Sequence, residues 1–325
     1  METVSFAVIK IYLCFSFSPR LPKPGETIIG SKYEIKYGGK GANQCMVAAK
    51  LGASTAMVAS LGSDIYAQEY LKIFKKENID ISHIQIQEDQ HSGIAHITVA
   101  DNGENNIVVV LGSNASLCPE HVDTAAEVVK GADVLLCQFE TPLESTLHAL
   151  NLHKGHVMTG VQCQELSNVQ EAVEKLLDMG CNTVILTLGE LGAAFASQEN
   201  RTLTFVPTKH VEAVDTTGAG DAFLGALAYF KVYHPGLPMA ECIRRGCVVA
   251  TESVLKLGTH SSFPTRSSLS PDFCYYVVTF ARLYLLRFVT RFLLYKSVTF
   301  ASQIFNKHVL GKLELVIYFI SKCSV

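Results

Sequence analysis

The sequence is poor in the features that mark several large classes of protein. Only 18% of its 325 residues are charged and the net charge is −3, so the composition gives no support for a nucleic-acid partner. Its ten cysteines never form a Cys-x-x-Cys pair, which argues against a zinc site and favours free thiols in a reducing compartment. With 48% apolar residues, the chain has the composition of a folded domain with a sizeable core.

A secretory signal is not expected either. The apolar stretch FAVIKIYLCFSF resembles the core of a signal peptide, but Glu2 precedes it, Lys10 interrupts it, and no Ala-x-Ala cleavage pattern follows. A buried first strand explains this stretch better, with the signal peptide kept as the minor alternative. We therefore expect a cytoplasmic protein and leave a nuclear location open.

Apolar runs of strand length alternate with helical patterns over most of the chain. Buried strands are predicted over residues 55–61, 132–138 and 183–188, which favours an α/β fold with a doubly wound, mainly parallel sheet. The β runs within 28–37 and 92–111 are more amphipathic. Asp101-Asn102-Gly103-Glu104 gives the second of these ranges a hairpin signal, so both suit a small separate sheet.

The stretch AVDTTGAGDAFLGA at 213–226 joins a strand end to a helix. Its glycines let backbone N–H groups converge at a helix N-terminus, where the dipole favours an anion. Asp221 in the first turn either only interacts with that dipole or acts as a general base on a substrate hydroxyl, and the residues alone favour neither. The lysine of a Walker phosphate loop is absent.

A second glycine cluster, YGGKGANQ, occupies residues 37–44. Its glycines would admit a polyhydroxylated ligand close to the backbone, although an ordinary strand-to-helix turn with Asn43 near the cap explains the pattern equally well.

Together the two clusters resemble the two signatures of the ribokinase (phosphofructokinase-B-type) carbohydrate kinase family, and RLPKPGET at 20–27 matches what precedes the first. The resemblance covers about residues 20–153 and 167–270. It implies a kinase domain over 1–273 with a small β lid (28–37 and 92–111), and a homodimer formed through the lid edges. The implied reaction is ATP-dependent phosphorylation of D-ribose at its 5-hydroxyl, with Mg²⁺ and an activating K⁺.

The resemblance also implies residue roles. Asp221 would be the general base, and the anion hole would comprise Gly218, Ala219 and Gly220. The sugar would contact Gly39, Lys40, Gly41, Ala42, Asn43, Glu140 and Asp221. ATP would lie along Thr187, Leu188, Gly189, Glu190, Leu191 and Gly192, with Gly220, Asp221 and Cys247. The K⁺ site would comprise Asp215, Thr217, Ser253, Lys256, Gly258 and Ser262. Glu140 could instead be an N-terminal helix acid, the 187–192 loop an ordinary turn, and Cys247 stands where the family usually has Asn.

Three departures qualify the resemblance. No Asp occurs before Asp64, although the family has a sugar-binding Asp after its first strand. Between residues 153 and 167 the chain lacks a family segment, so we expect the sheet to lack strands after residue 153. The family's magnesium-linked Asn-x-x-Glu spacing recurs at Asn168–Glu171, where a helix cap explains it better.

The third departure is the tail, residues 274–325, which holds seven lysines and arginines but one acid, Glu314. Basic residues interrupt its apolar runs, so we do not expect a spanning helix, and contact with a membrane surface is the minor alternative. We expect a segment foreign to the fold and poorly ordered, in a truncated or splice-variant form of a family member. Two alternative functions stay open: an impaired isoform acting only as an interaction partner, or a kinase for another sugar or nucleoside.

Overall fold

The computed structural model of the chain describes residues 3–7, 11–138, 140–163, 169–270 and 313–319. These residues form a nine-stranded sheet, a four-stranded sheet and the helices that cover the larger sheet. In spatial order the strands of the large sheet are β12 (Thr204–Val206), β11 (Ala193–Ser197), β10 (Thr183–Thr187), β13 (Leu313–Phe319), β9 (His156–Cys163), β8 (Val134–Cys137), β1 (Thr3–Ala7), β4 (Ser54–Gly62) and β5 (Ile84–Gln87).

The large sheet is parallel from β10 to β5, and only β11 pairs antiparallel with its two neighbours. The helices are α1 (Lys40–Leu51), α2 (Ile65–Lys76), α3 (Pro119–Thr124), α4 (Ala126–Gly131), α5 (Leu143–Leu152), α6 (Val169–Asp178), α7 (Ala219–Tyr233) and α8 (Met239–Ser253). The predicted doubly wound fold is therefore confirmed, with the carboxyl ends of the parallel strands at one edge.

Helices cover both faces of this sheet, as the side chains of β8 demonstrate. Val134 and Leu136 belong to an apolar cluster that includes residues of α1, α7 and α8, whereas Leu135 and Cys137 belong to a second cluster with residues of α4, α5 and α6. Successive side chains of a strand point to opposite faces. A strand buried on both faces needs an almost continuous apolar sequence, which is why these runs could be recognised.

The small sheet has the order β3 (Lys32–Gly38), β2 (Ile11–Ser18), β6 (Gly93–Ala100) and β7 (Asn105–Val110). Strands β6 and β7 pair antiparallel across the predicted hairpin turn, where Gly103 has a φ of 84°. Strand β2 pairs with both β3 and β6. The small sheet thus takes residues 11–18 as well as the two predicted ranges, because the apolar N-terminal stretch divides between β1 and β2.

The expectation that the sheet lacks strands after residue 153 is wrong in one respect. Residues His156–Cys163 form β9, which pairs parallel with β8 from Val134↔His156 to Cys137↔Thr159. The run HVMTGVQC mixes polar residues and a glycine with its apolar residues, so its pattern does not identify it as a strand. Pairing with the apolar strand β8 supplies the ladder that stabilises it.

Part of the tail also lies in the large sheet. Leu313–Phe319 form β13 between β9 and β10 and pair parallel with both, with Val316 opposite Gly160 on one side and Ile185 on the other. Seven residues of the tail are therefore part of the large sheet. The rest of the tail after residue 273 lies outside the described residues, so its expected disorder stays a prediction. Among the described residues, no helix has the length and apolarity needed to cross a membrane.

Candidate active site

Asp221 lies in the first turn of α7, where the chain leaves the 215–218 turn. Gly218 precedes the helix with a φ of 80°, in the left-handed region. A Cβ at this position would also lie 3.2 Å from side-chain atoms of Phe263 and Thr259. The glycine is therefore required by both its backbone conformation and its close neighbours.

The first turn of α7 presents backbone N–H groups towards the same edge of the sheet. The Ala219 N–H donates to the Thr216 carbonyl at 3.2 Å, and the Ala222 N–H donates to Gly218 at 2.8 Å. Helix geometry leaves the N–H groups of Gly220 and Asp221 without an acceptor four residues earlier. These two groups are the strongest candidates for binding an anion here.

The carboxylate of Asp221 is buried and held on both oxygens by amides of α1. Asn43 Nδ2 donates to Oδ2 at 2.8 Å, and Gln44 Nε2 donates to Oδ1 at 2.9 Å. Burial raises the pKa of Asp221 to about 6. The two amide donors and the ammonium of Lys40 lower this pKa, and Glu140 raises it. The acid is therefore mostly ionised at neutral pH yet close to its titration range, as a general base requires.

Two carbonyl oxygens beside this carboxylate have no hydrogen-bond partner among the described residues. They are Asn43 Oδ1 and Gln138 Oε1, both buried. Gln138 follows β8 directly and donates from Nε2 to Gln44 Oε1. An unpaired acceptor in the interior is costly, so both oxygens call for a donor such as a ligand hydroxyl.

Lys40 and Glu140 form an ion pair between the start of α1 and the turn after β8. Both side chains are about one-third exposed, at 35% and 29%. Gly39 precedes α1 with a φ of 98°, which lets the chain turn from β3 into the helix. Among the predicted sugar contacts, Asn43 is hydrogen-bonded to Asp221 and Lys40 is ion-paired with Glu140, while Gly41 and Ala42 lie buried in α1.

The predicted nucleotide loop follows β10 at the carboxyl edge of the sheet. The Leu188 N–H donates to the Gly192 carbonyl at 2.7 Å and closes a tight loop around a single helical turn over Gly189–Leu191. A Cβ on Gly192 would lie 2.2 Å from the Val206 carbonyl, so only glycine fits. Leu191 and Glu190 are exposed, and Glu190 lies 3.3 Å from the His210 ring. Thr187 ends β10 and lies half-buried.

The two halves of the predicted cation site lie together. Asp215 accepts the Thr217 N–H and the Gly258 N–H, both at 2.9 Å, and the Val254 carbonyl accepts from the backbone at Val214. The remaining predicted residues surround this junction: Ser253 ends α8, Lys256 is exposed, and Ser262 is fully buried. Carboxylate, hydroxyl and carbonyl oxygens are the donors that a hard cation prefers.

Two other predicted positions are less informative. Cys247 lies buried in α8 as part of the apolar cluster, and burial raises the pKa of its thiol to about 12. It is therefore a neutral core side chain, and its predicted nucleotide contact stays a prediction. Asn168 lies outside the described residues. No cluster of three His, Cys, Asp or Glu side chains that could hold a metal ion occurs in the described part of the chain.

A family model, described as pfkB family carbohydrate kinase, matches residues 7–151 and 143–266. The chain belongs to this family. It is 35% identical over 306 residues to the ribokinase of Mus musculus, an alignment that covers 82% of this chain and 95% of the mouse protein. It is 31% identical over 284 residues to the deoxyribokinase of Salmonella typhi, which covers 77% of this chain and 92% of the relative.

Solved structures agree with this assignment. A ribokinase from Arabidopsis thaliana, complexed with ribose and ATP, is 25% identical and superposes with a TM-score of 0.74. The match covers 82% of this chain and 97% of the Arabidopsis chain. The chain is therefore a pfkB-family, ribokinase-like protein, and the activity of this family is ATP-dependent phosphorylation of a carbohydrate.

Sequence reasoning did not single out Gln138, and it placed Gln44 in the YGGKGANQ cluster without assigning it a role. Gln138 looks like an ordinary polar residue after an apolar run. The packing of α1 against α7 and β8 brings Gln44 to Asp221 and Gln138 to Gln44. A close approach marked by Gly225 could have indicated the α1–α7 contact, but the sequence does not say which helix the glycine faces. The resemblance implies a sugar-binding Asp after the first strand, and no Asp occurs before Asp64.

Proposed function

We propose that this chain transfers the γ-phosphoryl group of ATP to the 5-hydroxyl of D-ribose, with Asp221 as the general base. The observation that carries the proposal is the position of Asp221: a buried carboxylate in the first turn of α7, held by two amides beside unpaired acceptors. The mouse relative is named a ribokinase, and the Arabidopsis relative was solved with ribose and ATP.

The proposed reaction assigns each group a definite task. Asp221 accepts the proton of the 5-hydroxyl while the oxygen forms a bond to the γ-phosphorus and the bond from that phosphorus to the bridging oxygen of ADP breaks. Charge develops on the transferring group and the leaving oxygen. The N–H groups of Gly220 and Asp221 at the start of α7 face such charge favourably, because the helix dipole adds to their hydrogen bonds.

The proposed sugar subsite uses the unpaired groups near Asp221. Asn43 Oδ1 accepts a hydroxyl hydrogen, and Lys40 and Glu140 exchange part of their mutual ion pair for hydroxyl contacts. This lining of hydrogen-bonding groups suits a polyol, whose hydroxyls both donate and accept. Because one relative is named a deoxyribokinase, 2-deoxyribose is the competing substrate. The chain has no Asp before Asp64, so it lacks one sugar contact that would favour ribose over other sugars.

The proposed ion requirements differ in their support. Mg²⁺ would be bound mainly by the ATP phosphates and water, as is usual for this small cation, and would neutralise charge on the phosphates. K⁺ would bind at the Asp215–Gly258 junction, where the 215–217 turn and the 253–262 loop meet. Bound there, it would stabilise the turn that leads into the first turn of α7.

We further propose a homodimer formed through the small sheet. Strand β7 is an edge strand whose apolar residues are exposed, including Ile107 at 56% and Val108 at 62%. A long apolar edge is a template for pairing with another strand, and a second copy of β7 is an occupant of matching chemistry. The alternative function, an inactive chain that acts only by pairing, depends on this same surface.

A sugar panel with purified protein tests the proposal. Wild type should consume ATP with ribose faster than with deoxyribose, fructose or adenosine, and Asp221→Asn should lose activity by about 10²–10⁴-fold while remaining folded. Folding is checked by circular dichroism. Folded wild type without turnover on any substrate, beside an active mouse ribokinase, would support the interaction-only alternative, and preference for another substrate would reassign the sugar.

A further inference from the structure

Two glutamines complete the surroundings of Asp221. Gln44 is fully buried in α1, and Gln138 is buried at the end of β8. Gln44 Nε2 donates to Asp221 Oδ1 at 2.9 Å, and Gln44 Oε1 accepts from Gln138 Nε2. The three side chains thus form one continuous hydrogen-bonded row that crosses from the sheet to α7 through α1.

The chemistry of the end group fixes the direction of this row. An ionised carboxylate only accepts hydrogen bonds, so Gln44 must present its NH₂ group to Asp221. Its carbonyl oxygen then faces Gln138, which must in turn present its own NH₂ group. Reversing either amide would place a carbonyl oxygen against another acceptor inside the protein, and such an unpaired contact is unfavourable.

We propose that Gln44 and Gln138 are positioning residues that act as a relay, holding the Asp221 carboxylate ionised and aimed at the substrate hydroxyl. The inference rests on the proposed function, since it assigns Asp221 the role of base. Asn43 restrains the other oxygen at 2.8 Å. Because both oxygens are held, the carboxylate cannot rotate, and its remaining lone pairs point in fixed directions.

The relay also connects the base to the sugar-binding turn. Gln138 lies two positions before Glu140, whose ion pair with Lys40 leads back to the first residue of α1. Lys40 and Glu140 are the charged groups that act on Asp221: Lys40 lowers its pKa and Glu140 raises it. Donation by Gln44 lowers the same pKa against the effect of burial. Removing the donor should therefore move the titration of Asp221 to higher pH.

Three substitutions separate this role from simple core packing. Gln44→Met keeps the length but removes the donor, Gln44→Glu places a second acid against Asp221, and Gln138→Met removes only the group that orients Gln44. Gln198→Met is the matched control. Gln198 follows β11 and also donates from its amide, to the backbone carbonyls of Leu177 and Cys181.

The relay predicts a shift in the acid limb of the kcat/KM profile. The limb should move up by about one pH unit in Gln44→Met, more in Gln44→Glu and less in Gln138→Met. At pH 6 the ionised fraction of Asp221 should then fall from about one half to about one tenth, so kcat/KM should fall about fivefold in Gln44→Met, with a KM for ribose within about threefold of wild type. Gln198→Met should keep the wild-type profile. A Gln44→Met limb that coincides with wild type, or a loss equal at every pH, would overturn the relay.

A second readout does not depend on turnover. The Asp221 carboxyl carbon can be titrated by ¹³C NMR in aspartate-labelled protein and assigned through the Asp221→Asn variant. The relay requires the same upward order of pKa in the variants, and an unchanged titration contradicts it. An inactive wild type with shifted variants would therefore refute the kinase proposal alone. Circular dichroism identifies unfolded variants. If Gln44→Met fails to fold, the titration of Gln44→Glu, which is isosteric with wild type, tests the relay instead.

Discussion

Gly225 of α7 contacts the backbone of Gln44 in α1 so closely that a Cβ at 225 would lie 2.4 Å from the Gln44 carbonyl oxygen. The same two helices carry Asp221 and its amide donors, one turn earlier in α7 and at the same level of α1. The missing side chain therefore sets the distance across which Asn43 and Gln44 reach the carboxylate. A glycine in the interior of a helix is otherwise unfavourable, so this contact explains its presence.

Gly225→Ala should separate α1 from α7 and lower both stability and activity. The added Cβ meets backbone rather than a flexible side chain, so we expect a loss of about 1–3 kcal/mol in the free energy of unfolding. Gly131→Ala is the matched control, since a Cβ there meets nothing within 4 Å. Urea unfolding and kinase assays measure both variants. Equal stability of the two variants would contradict the close approach.

Burial of Asp221 predicts a specific dependence of stability on pH. The folded-state pKa of about 6 lies above the ordinary value, so the folded protein holds a proton that the unfolded chain releases. The stabilisation is full below the unfolded pKa and is lost as pH rises through 6, on the order of 3 kcal/mol.

Asp221→Asn removes this titration. The free energy of unfolding of the variant, compared with wild type, should therefore improve from pH 4 to pH 7 and then stay constant. Urea unfolding across that range measures the difference. A difference independent of pH would mean that burial does not perturb this carboxyl.

Asp215→Ala should weaken the response to K⁺. Asp215 accepts backbone N–H groups from both the turn at Thr217 and the loop at Gly258, so its loss separates the two halves of the proposed cation site. We expect activation to need at least about tenfold more K⁺, with Na⁺ held as the balancing salt. Asp80→Ala is the control, because Asp80 also accepts the N–H two residues later, from Ser82. Equal K⁺ curves would place the cation elsewhere.

Val108→Lys should abolish the proposed homodimer. The substitution places a charge on the exposed edge strand β7, and lysine on an edge opposes strand pairing. Phe205→Lys is the control, since Phe205 is also exposed on an edge strand, β12 of the large sheet. Light scattering after gel filtration measures the mass. A monomeric wild type would refute the dimer directly, and a dimeric Val108→Lys would assign it to another surface.

Val316→Pro should destabilise the large sheet strongly. Proline removes a ladder N–H from β13, which pairs on both sides, and we expect a loss of about 3 kcal/mol or more. Val316→Ala keeps the N–H and serves as the control. Urea unfolding compares the two variants. If proline and alanine have equal effects, β13 does not contribute to the stability of the sheet.

The extent to which the sequence predicts this structure differs between local and distant features. Asp221, Gly218 and the α7 start were predictable, because a glycine-rich turn leading into an apolar helix specifies its own geometry. The Asn43 position followed in the same way from the start of α1. The partners of Gln44 and Gln138 were not predictable, because they lie far along the chain. The cluster at 37–44 contains Gln44, but the sequence does not say which group its side chain meets.

The strands show the same division. Strands β4, β8 and β10 are mainly apolar and could be recognised alone. By contrast, β9 is defined by pairing with β8, and β13 by pairing with β9 and β10. A mainly apolar run of seven residues can pair with many strands. Which strands it pairs with depends on the position that the rest of the sheet leaves open.

The position of β13 has a consequence for biosynthesis. A ribosome completes β9 and β10 long before Leu313–Phe319, so neither strand can pair with β13 until the intervening chain has been made. The edges of β9 and β10 that later pair with β13 lie inside the finished sheet. Before β13 is made, their unpaired backbone groups are a template for pairing with other strands. The nascent chain therefore passes through a stage in which chaperone binding would matter most, and slow translation after residue 187 would prolong it.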